Sequence, residues 1–364
     1  MKALIMAAGY GTRLEPLTLA VPKPMVPIVN CPTMQHNLEL LKKYGFTEIT
    51  ANIHYHPEQI ENYFSDGRKF GVSLAYSFEE KLLGTAGGVK LMAATIAGIG
   101  ETFVVLSSDA LTDINLGRLV EFHKKKKALV TAALCRVSDV SEFGVVLQDG
   151  DERIVGFQEK PSPAAALSNL ANTGIYVFEP EILKMIPDGP YDFGRQLFPK
   201  LVAEQAAIYG HKMVGYWSDV GGLDKYLQSN FDAMTGAVRI GIPGQRHGKA
   251  TWIGEREKLA PSARFEGSVI IGSHCSLGPD VYIKDAVIGD KCVVEAGAVI
   301  VGSVLWPCVT VGRRAEVRDS VIGSFCYVGA NAKVGAGSVI SNRCTIRAGK
   351  EVPPASKIKP DSIV

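Results

Sequence analysis

From residue 2 to about residue 235 the chain alternates short apolar runs with longer amphipathic stretches. The run Ala3-Leu4-Ile5-Met6-Ala7-Ala8 is short, apolar and stopped by glycine, which predicts a buried first strand. Thr33 to Tyr44 has the spacing of an amphipathic helix, with Thr33 as N-cap and Gly45 as its stop. Glu48 to Asn52 predicts the next strand and Pro57 to Phe64 the next helix. The apolar run Thr102 to Leu106 ends in Ser107-Ser108-Asp109, and a helix over Leu116 to Lys127 and a strand over Leu129 to Cys135 follow. Strand and helix in alternation imply an α/β fold with a doubly wound, mostly parallel sheet, in which ligands sit at the carboxyl ends of the strands. The first glycine stop and Asp109 both lie at such ends.

From Trp252 the period changes. Every sixth position is apolar: Ile253, Leu259, Phe265, Ile271, Leu277 and Ile283, then, after one skipped residue, Ile288, Val294, Ile300 and Trp306. Two further skips carry the series through Val311 and Val317 to Ile322, Val328, Val334, Ile340, Ile346 and Val352. Four positions after the apolar residue stands a small or β-branched one, such as Ala263, Val281, Ala298 or Ser338. This is the pattern of a parallel β-helix of about six coils, whose inward ladders stack coil upon coil. Cys275, Cys292, Cys326 and Cys344 occupy the small inward slot, where a free thiol serves as a compact hydrophobe. The pattern divides the chain into 1–235, a connector over 236–251, and the β-helix over 252–364.

Composition narrows the class. Hydrophobic residues at 46% and charged residues at 21% describe a soluble globular protein of about two domains. A formal net charge of +2 argues against nucleic acid and anionic membrane surfaces as partners. No run approaches the roughly 18 apolar residues of a membrane span, and the start has no secretory pattern. Seven cysteines without paired close spacings form neither a disulfide framework nor a zinc site. A cytoplasmic protein is expected.

The first apolar run leads into Gly9-Tyr10-Gly11-Thr12-Arg13, and Pro22-Lys23-Pro24 follows. Glycines let backbone N–H groups approach a ligand closely, and Arg13 and Lys23 add two fixed positive charges. Such a loop suits a polyphosphate. No lysine follows Gly11 at the Walker spacing, and Leu14 stands where the dinucleotide fingerprint needs its third glycine.

Seven separate motifs then occur in one order. They are A-A-G-Y-G-T-R-L-E-P-L-T with P-K-P (7–24), L-G-T-A-G-G (83–88), S-S-D (107–109), E-F-G-V-V (142–146), E-K-P (159–161), N-T-G-I-Y (172–176) and W-S-D-V-G (217–221). With the β-helix behind them, they resemble the sugar-1-phosphate nucleotidyltransferases across essentially the whole chain. The resemblance implies a Rossmann-like mixed sheet followed by a left-handed parallel β-helix of hexapeptide repeats. It implies joining of a nucleoside triphosphate to a sugar 1-phosphate, with pyrophosphate released. Ala8, Gly9, Gly11 and Thr12 would wrap the triphosphate, Arg13 would steady the leaving pyrophosphate, and Lys23 would neutralise the α-phosphate. Gly84, Thr85, Ala86 and Gly87 would form the base loop, with glycine at 87 leaving space beside the base. Asp109 and Asp219 would hold Mg²⁺, a cation that favours one or two carboxylates plus phosphate oxygens. Glu159 would accept sugar hydroxyls, Lys160 would meet the 1-phosphate, and Gly144 and Asn172 would touch the sugar.

The 83–87 loop most resembles that of mannose-1-phosphate guanylyltransferases, so GTP and mannose 1-phosphate are the expected substrates. The alternative is thymidylyl, uridylyl, cytidylyl or adenylyl transfer to glucose 1-phosphate. Ala8, Glu15 and Ser107-Ser108 depart from the family pattern without removing a charge the reaction needs. A regulatory subunit of this fold would lack some of Arg13, Lys23, Asp109 and Asp219, and all four are present. An acyltransferase site would want histidines between coils, and His274 stands alone in the series. The flat faces of the β-helix instead offer an interface for a homo-oligomer.

Overall fold

The computed structural model describes residues 1–95, 99–248 and 250–364. Lys249, in the expected connector, lies outside the described residues. The contacts define two compact units: Met1–Gly9 with Asn37–Asp219, and Tyr10–His36 with Val220–Val364. The chain therefore passes between units at 9/10, 36/37 and 219/220, where the periodicity of the sequence shows only the change near 235.

The first unit is built on a nine-stranded sheet. Its strands are β1 (Lys2–Met6), β2 (Glu48–Ile53), β3 (Ser73–Phe78), β4 (Phe103–Ser107), β5 (Val130–Arg136), β6 (Gly144–Gln148), β7 (Ile154–Glu159), β8 (Leu170–Phe178) and β9 (Ile208–Lys212). The order β7-β6-β8-β4-β1-β2-β3 forms the main path, and β5 pairs with β8 and β9. The run β4-β1-β2-β3 is parallel, as the helix-strand alternation predicts. Beyond β4 the sheet is mixed, as the family resemblance implies and the alternation alone does not, although β9 still pairs parallel with β5. There β8 runs antiparallel to β4, β5 and β6, and β6 and β7 form a hairpin. The turn between Gln148 and Ile154 is far too short for a crossover helix, so these strands must reverse.

Helices cover the sheet because their apolar stripes need a partner. The helix Leu116–Lys126 is capped by Asn115, whose Oδ1 accepts from Arg118 N, and ends where Lys127 turns to φ +48°. Tyr176, Phe178, Phe193 and Phe198 close the core with ring centroids 5.2 to 5.4 Å apart.

In the second unit the β-helix stacks coils in parallel register. Leu259 pairs with Leu277 at a spacing of 18 residues, and Val294 with Val311 at 17. Ile283, Ile300 and Val317 form one inward column with no exposure. The four slot cysteines lie inside as reduced thiols, with Cys344 N donating to Cys326 Sγ at 3.4 Å. The core continues past Val352 to Ile358 and Val364.

One position of the expected series is wrong. Ile288 pairs with Leu305, and Leu305 with Ile322, so Leu305 carries the inward ladder rather than Trp306. The short step precedes 305 instead of following 306. Both residues are apolar, so the period alone could not choose between them. The three short steps carry Asp285, Gly302 and Asp319 at positive φ, which tightens those turns. Trp306 therefore points out of the coil, yet only 2% of it is exposed.

Candidate active site

Two sets of motif residues assemble, one in each unit. In the first, β1 ends at Met6 and the Ala7 amide donates to Asn52 Oδ1 at 2.6 Å. Asn52 Nδ2 donates to Glu79 Oε1 at 2.5 Å, and Glu79 Oε2 accepts from the Leu83 amide at 2.8 Å. This buried relay ties the first strand end to the 83–88 loop. Gly88 is required by it, since a Cβ there would lie 2.5 Å from Glu79 Oε1. Sequence reasoning missed Asn52 and Glu79. Their only signal was a polar residue at the end of each of two buried strands. Ala8 is buried, and Gly9 faces open space.

The structure adds to the reading of Gly87. A Cβ at Gly87 would lie 2.6 Å from the Gly189 carbonyl oxygen, and one at Gly84 would lie 2.7 Å from that of Tyr191. The Ala86 and Gly87 amides both donate to the Tyr191 carbonyl at 3.0 Å. These glycines therefore admit the 189–191 backbone. Thr85 Oγ1 donates to Asp192 Oδ2 at 2.9 Å and accepts from the Phe193 amide at 2.8 Å. Asp192 also caps the next helical turn through the Gly194 and Arg195 amides.

Asp109 follows β4, where Ser108 N donates to the Met6 carbonyl and Asn37 Nδ2 to that of Ser108. Ser107 Oγ donates to Asp109 Oδ1 at 2.6 Å, so the serine at this departure from the family pattern orients the carboxylate. A two-stranded ribbon pairs Leu111 with Ser218 and Thr112 with Trp217, antiparallel. Asp219, 9% exposed, follows Ser218 directly, and Asp109 stands two residues before Leu111. Among the described residues no group of three or more His, Cys, Asp and Glu converges. Two carboxylates without a third are a poor zinc site but fit Mg²⁺, which takes its remaining ligands from water and phosphate.

Gly144 and Glu159 are paired across the β6–β7 hairpin. Glu159 is exposed as a residue, but its Oε2 packs so closely that a Cβ on Gly194 would lie 2.5 Å away. Partial burial and then the Asp192 charge raise the Glu159 carboxyl above its ordinary pKa, against the lowering pull of Lys160 and Arg195. Lys160 sits at φ +47° at the end of the strand, exposed, with its amide donating to the Phe143 carbonyl. Asn172 is half-buried and donates to Tyr176 Oη at 2.8 Å, while Trp217 Nε1 donates to the Thr173 carbonyl at 3.1 Å. That bond links the N-T-G strand to the W-S-D ribbon.

The second unit holds Gly11, Thr12, Arg13 and Lys23. Gly11 has φ +69°, and a Cβ on it would lie 2.7 Å from Lys23 Cβ, so glycine lets the loop close over the lysine stem. Thr18 Oγ1 donates to the Gly11 carbonyl at 3.0 Å. Leu14 is fully buried and anchors the Thr12–Leu14 turn, which leaves Thr12 and Arg13 exposed. Lys23 is half-buried at the start of a second turn, and Glu15 is exposed.

A glycine-built cationic loop after the first strand and a carboxylate pair at strand ends, on a Rossmann-like sheet, define a phosphate-handling transferase. Residues 2–235 match the family model described as nucleotidyl transferase, and residues 249–352 match that of the EIF2B subunit epsilon LbH domain. The chain belongs to the sugar-1-phosphate nucleotidyltransferase family. It is 40% identical over 343 residues to a UTP–glucose-1-phosphate uridylyltransferase of Synechocystis, covering 90% of this chain and 88% of that one. It is 34% identical to the mannose-1-phosphate guanylyltransferase of Mycobacterium tuberculosis, with 82% of each covered. Mannose-1-phosphate guanylyltransferase 1 of Arabidopsis thaliana is 32% identical over 92% of this chain and 89% of its own. A Bacillus anthracis protein solved in complex with a sucrose covers 66% of this chain and 97% of its own, at TM-score 0.59 and 24% identity, and shares the fold.

Proposed function

We propose that this enzyme transfers a guanylyl group from GTP to mannose 1-phosphate, releasing pyrophosphate. Asp109 and Asp219, which flank the ribbon pairing Leu111–Thr112 with Trp217–Ser218, carry the catalytic reading, together with Arg13 and Lys23 on the glycine loop. The sugar phosphate oxygen attacks the α-phosphorus in line, negative charge grows on the equatorial oxygens, and pyrophosphate departs. Lys23 neutralises the α-phosphate and Arg13 steadies the departing pyrophosphate, both by preorganised charge. Asp109 and Asp219 would hold Mg²⁺, which would supply further positive charge to the phosphate oxygens. Glu159 orients the sugar through its hydroxyls, with Gly144 leaving the strand bare beside it, and Lys160 meets the 1-phosphate. Thr85 and Asp192 brace the base loop.

Guanylyl transfer is favoured by relatives with that name at 32 to 34% identity over most of the chain. One specific observation favours a second reading: the Synechocystis relative, at 40%, is named for UTP and glucose 1-phosphate. Pyrophosphate release with Mg²⁺, measured for GTP, UTP and dTTP against mannose and glucose 1-phosphates, decides between them. The highest kcat/KM is expected for GTP with mannose 1-phosphate. A maximum at UTP with glucose 1-phosphate selects the second reading, and no release with any pair overturns both.

A further inference from the structure

The loop bearing Arg13 and Lys23 packs with the β-helix in one compact unit. Its anchors are buried and specific. Ser341 Oγ, in a late coil, donates to the Pro16 carbonyl at 2.8 Å. Tyr226 Oη donates to the Pro27 carbonyl at 2.8 Å and accepts from Trp306 Nε1 at 2.9 Å. Pro16 stands three residues after Arg13, and Pro27 four after Lys23, so each cation is followed closely by an anchor.

The second anchor exists because of the irregularity in the repeat. The short step before Leu305 turns Trp306 outward, and its indole then meets a tyrosine with no exposure at all. Burial pushes the Tyr226 phenol far up, so it stays protonated and keeps both bonds. The hairpin tip beside Pro27 is fastened as well: Asn30 Nδ2 donates to the Ile288 carbonyl at 2.9 Å. A β-helix needed only as a platform would require no indole turned against its own repeat.

We propose that Trp306, Tyr226 and Ser341 are positioning residues for catalysis, through which the β-helix sets where Arg13 and Lys23 stand. The proposal rests on the triphosphate reading of the loop given above. Loosening an anchor lets the two cations wander, so phosphate binding and kcat suffer while the sugar side, held by Glu159 and Asn172 of the other unit, does not.

The test uses Tyr226→Phe and Ser341→Ala in the full chain, each of which removes a single hydroxyl oxygen. Hydrogen exchange across residues 10–36 needs no substrate and should quicken about fivefold or more in each variant, with the coil amides unchanged, as for loss of one buried hydrogen bond. Turnover with the best substrate pair should then fall about 5- to 20-fold in kcat, and inhibition by added pyrophosphate should weaken by a similar factor. KM for the sugar 1-phosphate should hold. Faster loop exchange with wild-type kcat overturns the proposal, as does lost activity with unchanged loop exchange. A wild-type protein that releases pyrophosphate from no pair breaks the functional reading instead, and unchanged exchange in both variants still overturns the anchoring.

Discussion

In the sheet unit each core residue has its own surroundings. Tyr176 packs against Phe178, Phe193 and Phe198, and no other position repeats that arrangement. In the β-helix Ile283, Ile300 and Val317 occupy one position three times, and each coil stacks on its neighbours. Irregular packing leaves each strand end different, which is where Asp109, Glu159 and the Asn52–Glu79 relay stand. Repetition yields a stack whose interior carries no chemistry. What is particular to the β-helix lies where the repeat is broken, at the short steps and at Trp306.

The largest effect that would test this division is on turnover. Lys23→Ala should lower kcat by about 10²–10³ with the unfolding midpoint nearly unchanged, the loss of one preorganised charge. Near-normal turnover would remove the loop from the chemistry. Ile300→Ala should do the reverse and cost about 2–5 kcal/mol in urea unfolding, because one coil cannot collapse into the cavity without disturbing its neighbours. A cost under about 1 kcal/mol would mean the coils repack independently. Gly84→Ala should cost about 1–3 kcal/mol, from its φ of +71° and the clash with the Tyr191 carbonyl. A neutral outcome there would show that the 189–191 backbone yields.

The smallest effect is a pH dependence confined to the sheet unit. Burial lowers the pKa of His123 below its ordinary 6.5, outweighing the bond from Glu179 that raises it. The unfolded chain then takes up a proton that the folded one refuses, so stability is full above about pH 6.5 and falls as pH drops below it. His123→Gln should flatten the urea-midpoint profile between pH 7.5 and 5.5 even if the protein is less stable at both. An unchanged profile would assign the slope to other groups.

Much of this was legible from residues alone. The hexapeptide series located the β-helix and its cysteine slots because inward positions recur at fixed spacing. It slipped at 305–306, where two adjacent apolar residues compete and only strand pairing decides. Alternation predicted the parallel run from β1 to β4 but not the reversal at β8, which depends on a hairpin turn. The strand-end motifs singled out Asp109 and Asp219, whereas the close approach of the 189–191 backbone to Gly84 and Gly87 was not legible, since a bare Cα serves a nearby backbone as well as a ligand. The packing of residues 10–36 with the β-helix was invisible, because its hydrogen bonds join residues 258 to 325 positions apart.

That separation has a consequence for how the enzyme comes into being. A chain emerging from the ribosome presents Arg13 and Lys23 among its first residues, long before Tyr226, Trp306 or Ser341 exists. The cationic loop must wait, unfastened, while the whole sheet unit and most of the coils are translated. The last of these bonds can form only when the coil containing Ser341 is laid down. A nascent or prematurely terminated chain therefore carries Arg13 and Lys23 without the bonds that Tyr226 and Ser341 make beside them.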